Sequence, residues 1–505
     1  MNRWLDPATA PPFPMAASAA LEDAQLRKNV RHATDVIQAK RARVVGELPE
    51  WQQLREAGRA IREHTMFYLA TYLEQFEQNC ARAGGIVHWA RDAEEARRIV
   101  VQLVAEAEQR HCAEALASGK AEPPAAEVIK IKSMTTEEIQ LNRALEEAGV
   151  RAYETDLAEL ILQLGGDPPS HIVVPALHKN RQQVREIFRR TMNLPELGET
   201  PEDLAEAARL FLRERFLRVK TGISGANFLI AETGGVAIVE SEGNGRMCLT
   251  LPETLITIAG IDKVVPRFAD LEVLLQLLPR SATGERMNPY NSLWTGIHAD
   301  DGPREFHVVL LDNGRTSVLK DEKGRQTLHC IRCGACQNAC PVYRQTGGHS
   351  YGSVYAGPIG AILTPQLMQM RHGESLPYAS SLCGACYEVC PVKINIPEVL
   401  IHLRSRIVQR KNAGMRAMSN PEGLAMSAMG AVFRSERRFR AAQRLARLGQ
   451  LPLVSKDGAG EGWISWLPAP LAGWTAVRDL KQIPKQSFRE WWLQRSKKEV
   501  SSEKH

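Results

Sequence analysis

The stretch from Cys330 to Pro391 constrains this chain more than any other. It reads Cys330-Ile331-Arg332-Cys333-Gly334-Ala335-Cys336-Gln337-Asn338-Ala339-Cys340-Pro341 and, some forty residues on, Ser380-Ser381-Leu382-Cys383-Gly384-Ala385-Cys386-Tyr387-Glu388-Val389-Cys390-Pro391. Two-residue gaps put successive sulfurs on one tight loop, and the proline after the last cysteine stops the chain from continuing as helix. The spacing C-x-x-C-x-x-C-x-x-x-C-P is the run that wraps an iron–sulfur cube: three thiolates take one cluster and the fourth crosses to another.

The second block repeats the first with Ser380 where the spacing wants a cysteine. Two clusters are therefore implied, served by seven thiolates. Crossed ligation assigns Cys330, Cys333, Cys336 and Cys390 to one [4Fe–4S] cluster, and Cys340, Cys383 and Cys386 to the other. The three-thiolate site is either a [3Fe–4S] cluster or a [4Fe–4S] cluster with a non-cysteine fourth ligand, for which Ser380 Oγ, solvent and substrate are candidates. Zinc also takes cysteine pairs two apart, but as two pairs rather than a triplet and a Cys-Pro repeated twice. A disulfide framework does not suit a chain of 505 residues without a secretory signal.

That length predicts several domains. Met1 to Ala20 is rich in proline and alanine and lacks the basic and apolar regions of a signal peptide. No run approaches the ~18 apolar residues of a membrane span. Thiolates on oxygen-sensitive clusters fit a reducing cytoplasm. Cys80, Cys112 and Cys248 are scattered and read as small buried apolar residues. From Pro391 onward there are 21 Lys and Arg against 9 Asp and Glu, so the preceding part is mildly acidic. Such a tail suits an acidic partner subunit or peripheral contact with an anionic membrane surface. No nucleic-acid module signature accompanies it.

Residues up to about Arg43 read as a mobile lead with a polar helix over 21–40, followed by a strongly helical stretch from Leu48 to Asn79. Strands are expected at 86–89, 128–132, 151–153, 171–174, 227–231, 236–240, 247–251, 255–259 and 306–311. Helices are expected at 92–111, 135–148 (capped by Thr135 or Thr136), 181–192 and 201–219. This alternation predicts an open α/β domain. Inside it, Gly222 to Gly235 holds two glycine pairs around a strand, with Ser224, Asn227, Glu232 and Thr233. That stretch is either a hairpin with turn residues or an anion pocket. Between the cysteine blocks, His349 is either a loop histidine or a further candidate ligand. After Pro391, 396–409 is an amphipathic helix that would pack behind the clusters, and 434–448 is a strongly basic helix. Trp463, Trp466, Trp474, Trp491 and Trp492 follow, as core filler or a docking surface.

Several of these residues together carry a resemblance. The first cysteine block with Val342-Tyr343, Gly347-Gly348-His349, Tyr351-Gly352, Gly357-Pro358-Ile359-Gly360-Ala361 and the second block resembles the lactate-utilisation iron–sulfur protein family. That family is the B component of the three-part bacterial L-lactate oxidation system. The Gly222 to Gly235 stretch, Glu240 to Arg246 and Leu251-Pro252-Glu253-Thr254 look like the domain the family carries ahead of its clusters. The resemblance covers about residues 60 to 490.

It implies a cytoplasmic electron-transfer subunit of a nicotinamide-independent system oxidising L-lactate to pyruvate, with two partner subunits and an unnamed electron acceptor. It also implies the two cysteine sets given above, with Ser380 matching the family's three-cysteine second site. The expected architecture is a helical lead (1–60), an α/β domain resembling sugar-isomerase and CoA-transferase folds (61–315), a two-cluster ferredoxin-type domain (325–405) and a basic C-terminal region (406–505). No catalytic residue is singled out, and lactate chemistry could sit in a partner. An iron–sulfur subunit for glycolate or a thiol/disulfide pair is the alternative that the cysteine blocks alone would equally satisfy.

Overall fold

The computed structural model describes residues 6–117, 126–413, 420–458, 460–468, 471–476 and 478–502. These group into two compact units that divide between Ile407 and Val408. No helix among the described residues is long and apolar enough to cross a membrane.

The first unit is built on a six-stranded parallel sheet. Its strands are β1 (Ile86–Ala90), β2 (Glu127–Lys130), β3 (Arg151–Glu154), β4 (Thr221–Ser224), β7 (Thr254–Gly260) and β10 (Glu305–Leu311), in the order β1-β10-β7-β4-β2-β3. A parallel sheet covered on both faces is apolar on both, and β7 is buried throughout. Alternate side chains separate cleanly. Ile256, Ile258, Val309 and Leu311 pack beneath Ala96, Val100 and Val104 of helix Ala93–Ala117. On the opposite face, Leu255, Phe306, Val308 and Leu310 pack with Leu69, Leu73 and Phe76 of helix Leu69–Arg82.

A smaller four-stranded sheet, β8-β5-β6-β9, flanks the first, with β5 (Phe228–Ile230), β6 (Gly235–Glu240), β8 (Val264–Val265) and β9 (Tyr290–Trp294). Strands β5 and β6 form an antiparallel hairpin. In the main sheet the chain steps from β2 outward to β3, then from β4 through β7 to β10 in the other direction, while β2 and β4 stay paired. Loops leaving the carboxyl ends of β2 and β4 thus diverge, which opens a crevice in sheets of this kind.

Several expectations are corrected. The N-terminal lead is packed rather than loose: helices Phe13–Glu22 and Ala24–Gly46 lie on the cysteine-bearing region. The Phe13 ring lies 5.0 Å from Tyr351, and Gln38 Nε2 donates to the Asn338 carbonyl at 2.8 Å. Apolar residues at Phe13, Ala17, Leu26 and Val30 supply the buried stripe that the polar composition masks. Residues 1–5 of that lead lie outside the described residues. The expected helix over 135–148 is two helices, Met134–Glu138 and Leu141–Glu147, broken at Gln140 (φ 52°). Its cap is Ser133, whose hydroxyl accepts the Thr136 N–H, rather than Thr135 or Thr136.

The apolar run His171 to Val174 is a bend, not a strand, because the His171 ring takes the Val173 and Val174 N–H groups that a ladder would need. The run 247–251 belongs to helix Asn244–Thr250, buried through Cys248 and Leu249. Of the scattered thiols, Cys80 and Cys248 are buried and Cys112 is partly so.

The second unit contains helices Pro421–Phe433 and Glu436–Gly449, a small antiparallel sheet of β11 (Ser455–Lys456), β12 (Gly462–Ile464) and β13 (Leu480–Lys481), and helix Phe488–Ser502. Trp466, Trp474, Trp491 and Trp492 are exposed, so these four do not fill a core.

Candidate metal-cluster site

The two cysteine blocks fold as near copies. Each passes through a residue in the left-handed region, Arg332 (φ 61°) or Leu382 (φ 56°), then a cysteine, then Gly334 (φ 72°) or Gly384 (φ 86°). Glycine meets that geometry without the steric cost a side chain incurs. A five-residue helix follows, Ala335–Ala339 or Ala385–Val389, and ends on an extended cysteine, Cys340 or Cys390. The two helices pack against each other.

That packing sorts the sulfurs. Burial pushes the Cys333 thiol up, and the Cys390 and Cys330 sulfurs beside it add to the shift. Burial raises Cys336 as well, with Cys330, Cys333, Cys386 and Cys390 contributing, and lifts Cys390 to about 11. Burial also raises Cys340, to which Cys383 adds, and lifts Cys386 to about 12, to which Cys340 and Cys383 add. Cys330, Cys333, Cys336 and Cys390 line one cavity, Cys340 and Cys383 act on Cys386, and Cys386 also lies close enough to act on Cys336.

Backbone N–H groups point at sulfur in both: Arg332 N to Cys330 Sγ at 3.4 Å, Ile394 N to Cys390 Sγ at 3.3 Å and Tyr343 N to Cys340 Sγ at 3.5 Å. Such bonds favour thiolate over thiol and tune a cluster held there.

No three His, Cys, Asp or Glu side chains among the described residues converge as a single-ion site. The first group instead lines one apolar space together with Ile172, Ile359, Val392 and Ile394. Four sulfurs spread around an apolar space, with amide N–H groups directed at them, fit a cluster of several irons.

Sequence reasoning missed what covers this group. Arg55 donates to the Cys390 carbonyl at 3.0 and 2.8 Å and to the Tyr387 carbonyl at 3.2 Å. Arg41 donates to the Val389 carbonyl at 3.0 Å. Arg62, fully buried, donates to the carbonyls of Val264 (2.8 Å), Leu328 (3.0 Å) and Asp262. Arg332 lies over the Tyr355 ring and 3.5 Å from the Asp262 carboxylate. Burial works against that carboxylate, but Arg315 and Arg332 overcome it and hold Asp262 well below the usual range. The only local hint in the sequence is the 3–4-residue spacing of Arg55, Arg59 and Arg62 in helix Trp51–Phe67.

Comparison with known proteins bears on the whole chain. A LUD domain model matches residues 73–311, a 4Fe-4S dicluster domain model matches 326–394, and a model for the C-terminal part of lactate utilisation protein B matches 403–497. Lactate utilization protein B of Shouchella clausii is 41% identical over 96% of this chain and 97% of its own length. The Bacillus subtilis protein of that name is 41% identical over 97% and 98%. The chain belongs to the lactate utilization protein B family. A DUF162 family protein from Deinococcus radiodurans, solved by crystallography, covers 48% of the chain at 15% identity with a TM-score of 0.22, too low to carry an argument.

The other residues singled out in the sequence have structural partners in this family member. Ser224 Oγ pairs with Thr257 Oγ1 at 2.8 Å, and Asn227 Oδ1 accepts the Val239 N–H at 2.9 Å. Thr233 Oγ1 accepts from Gly235 N, and Glu232 from Phe268 N. The stretch is a hairpin with its approach strand, and these side chains hold it rather than line a pocket. A Cβ on Gly222 would meet the Cys248 carbonyl at 2.4 Å, so close packing is what requires glycine there. His349 Nε2 donates to the Pro168 carbonyl at 2.9 Å, the role of a loop histidine. Ser380 Oγ accepts the Leu382 N–H at 3.1 Å, beside the exposed Cys383.

Proposed function

We infer that this chain is the iron–sulfur electron-transfer subunit of a nicotinamide-independent system that oxidises L-lactate to pyruvate. The carrying observation is near full-length similarity to proteins named for lactate utilisation, in a chain whose two cysteine blocks fall within a 4Fe-4S dicluster domain match. Cys330, Cys333, Cys336 and Cys390 hold one [4Fe–4S] cluster. Cys340, Cys383 and Cys386 hold the second, a [4Fe–4S] or [3Fe–4S] centre open to a fourth ligand at the surface.

Lactate oxidation releases two electrons, and single-electron clusters take them in steps. The chain therefore works with two further subunits and an electron acceptor, in the cytoplasm. Its α/β unit is of the sugar-isomerase and CoA-transferase type.

Iron and acid-labile sulfide, measured anaerobically with EPR, test this. Two clusters give about seven or eight iron per chain. L-Lactate added with the partner subunits should reduce them. A colourless, zinc-loaded protein would overturn the reading.

A further inference from the structure

The four arginines around Cys330, Cys333, Cys336 and Cys390 lack the carboxylates that buried cations ordinarily pair with. Arg41, Arg55 and Arg62 donate to main-chain carbonyls, and among the described residues no Asp or Glu is in ion-pair contact with them. Arg332 lies 3.5 Å from Asp262, a carboxylate that Arg315 already holds at 2.6 Å. A buried charge without a counter-charge is costly. Burial works against all four charges here, and sulfur works for them: Cys333 and Cys390 at Arg41, Cys390 at Arg55, Cys330 at Arg332 and, after Asp262, at Arg62.

Arg332 comes nearest to the sulfurs. Its side chain is 9% exposed, and it lines the same apolar space as the four cysteines. Its Nη1 is buried with no hydrogen-bond partner among the described residues, as are the Nε atoms of Arg41 and Arg62. Donors are therefore left over at the edge of a space bounded by sulfur. Arg332 also occupies the left-handed region (φ 61°), a conformation that costs an arginine more than a glycine.

The second cysteine block supplies an internal control. At the position of Arg332 its loop carries Leu382, at φ 56° and 37% exposed. Burial, the Tyr343 and Val342 N–H groups and the Cys383 sulfur act on Cys340, with no arginine among them. One loop design thus presents a buried cation in one copy and a solvent-facing leucine in the other.

We propose that Arg41, Arg55, Arg62 and Arg332 form a cationic collar that sets the reduction potential of the cluster on Cys330, Cys333, Cys336 and Cys390, so that it accepts an electron more readily than the same sulfurs would alone. This rests on the iron–sulfur reading above. A [4Fe–4S] cube bound by four thiolates is an anion, and an accepted electron adds a further negative charge. Fixed cations stabilise the reduced form more than the oxidised one, and N–H donors to sulfur act in the same direction. A single buried charge a few ångströms away is worth about tenfold or more in the ratio of the two forms.

The test is an EPR-monitored redox titration of the anaerobically purified full chain, with iron and acid-labile sulfide measured in each variant. The signal that Cys390→Ala removes marks the first cluster. Arg332→Leu installs the residue of the second loop. It should lower the reduced-to-oxidised ratio of the first cluster about tenfold at a fixed potential, a downward shift of about 59 mV for a one-electron couple. Arg332→Lys keeps the charge and should restore most of this. Arg41→Gln removes a charge while keeping a donor for the Val389 carbonyl, and should shift the midpoint in the same direction. The second cluster's midpoint should stay in place throughout. Should Arg332→Leu fail to load the first cluster, Arg41→Gln and Arg332→Lys decide the matter. Midpoints that do not move in fully loaded variants, equal movement of both clusters, or a fall in Arg332→Lys as large as in Arg332→Leu would overturn the collar and leave the electron-transfer reading standing. An unmodified chain without iron would overturn that reading itself.

Discussion

The two cysteine groups share one loop design and differ in almost everything around it. The Cys330, Cys333, Cys336 and Cys390 group lies under Arg41, Arg55, Arg62 and Arg332, with isoleucine and valine closing the remaining wall. The Cys340, Cys383 and Cys386 group reaches the surface, where Ser381, Leu382 and Cys383 are exposed. Its inner side rests near Tyr343 and Tyr351, whose hydroxyl protons burial holds firmly. Backbone geometry therefore fixes how sulfur is presented, while distant helices fix charge, solvent access and reachable partners. A covered, cation-flanked cluster suits an internal relay, and an open one suits exchange with another molecule.

The strongest way to break the comparison is to remove one sulfur from each group. Cys390→Ala should lose the first cluster and about half of the iron, and leave the EPR signal of the second. Cys383→Ala should do the reverse. Equal damage from both would show that the groups do not load independently.

Next in size, Arg62→Met should destabilise the chain by about 3–5 kcal/mol, because three carbonyls lose a fully buried cation. Denaturant melts would read this. The same experiment at Arg406, exposed on helix Ile396–Lys411, should cost under about 1 kcal/mol.

Acid should act on the covered side first. Burial pulls His171 and His178 down to about 4, from an ordinary value of 6.5. An unfolded chain binds these protons below about pH 6.5 and the folded chain does not, so stability falls as pH drops from 6.5 toward 4. Protonated His171 also loses the acceptor that holds the Val173 and Val174 N–H groups. Hydrogen exchange, corrected for intrinsic rate, should show residues 168–178 losing protection between pH 7 and 5 while residues 381–391 keep theirs.

The mildest probe is Ser380→Cys. It should favour a fully thiolate-bound cube in the open site and lower its potential, leaving the first cluster unchanged in redox titration. Identical spectra before and after would mean that another group already fills the fourth position.

What the sequence disclosed follows the range of the interactions involved. The cysteine loops were legible because a cluster imposes its spacing over a dozen residues. Strands β7 and β10 were legible because burial on both faces leaves a largely apolar run with β-branched residues at its centre. Residues 247–251 carry a similar apolar run but form a helix, since Cys248 and Leu249 are buried by tertiary packing and not by a sheet neighbour. The bend at His171 was hidden because its ring competes with the ladder for backbone donors. The arginine cover was invisible for a different reason: Arg41 and Arg55 lie 348 and 335 residues before the carbonyls they hold.

The early helices that roof the sulfurs imply an order of manufacture. A ribosome releases Phe13–Gly46 and Trp51–Phe67 long before it reaches Cys330. Helix Trp51–Phe67 finds its first partners earlier, since Arg62 bonds the Asp262 and Val264 carbonyls. The roof over the sulfurs closes only once Cys390 has been made, so metal loading falls late in synthesis.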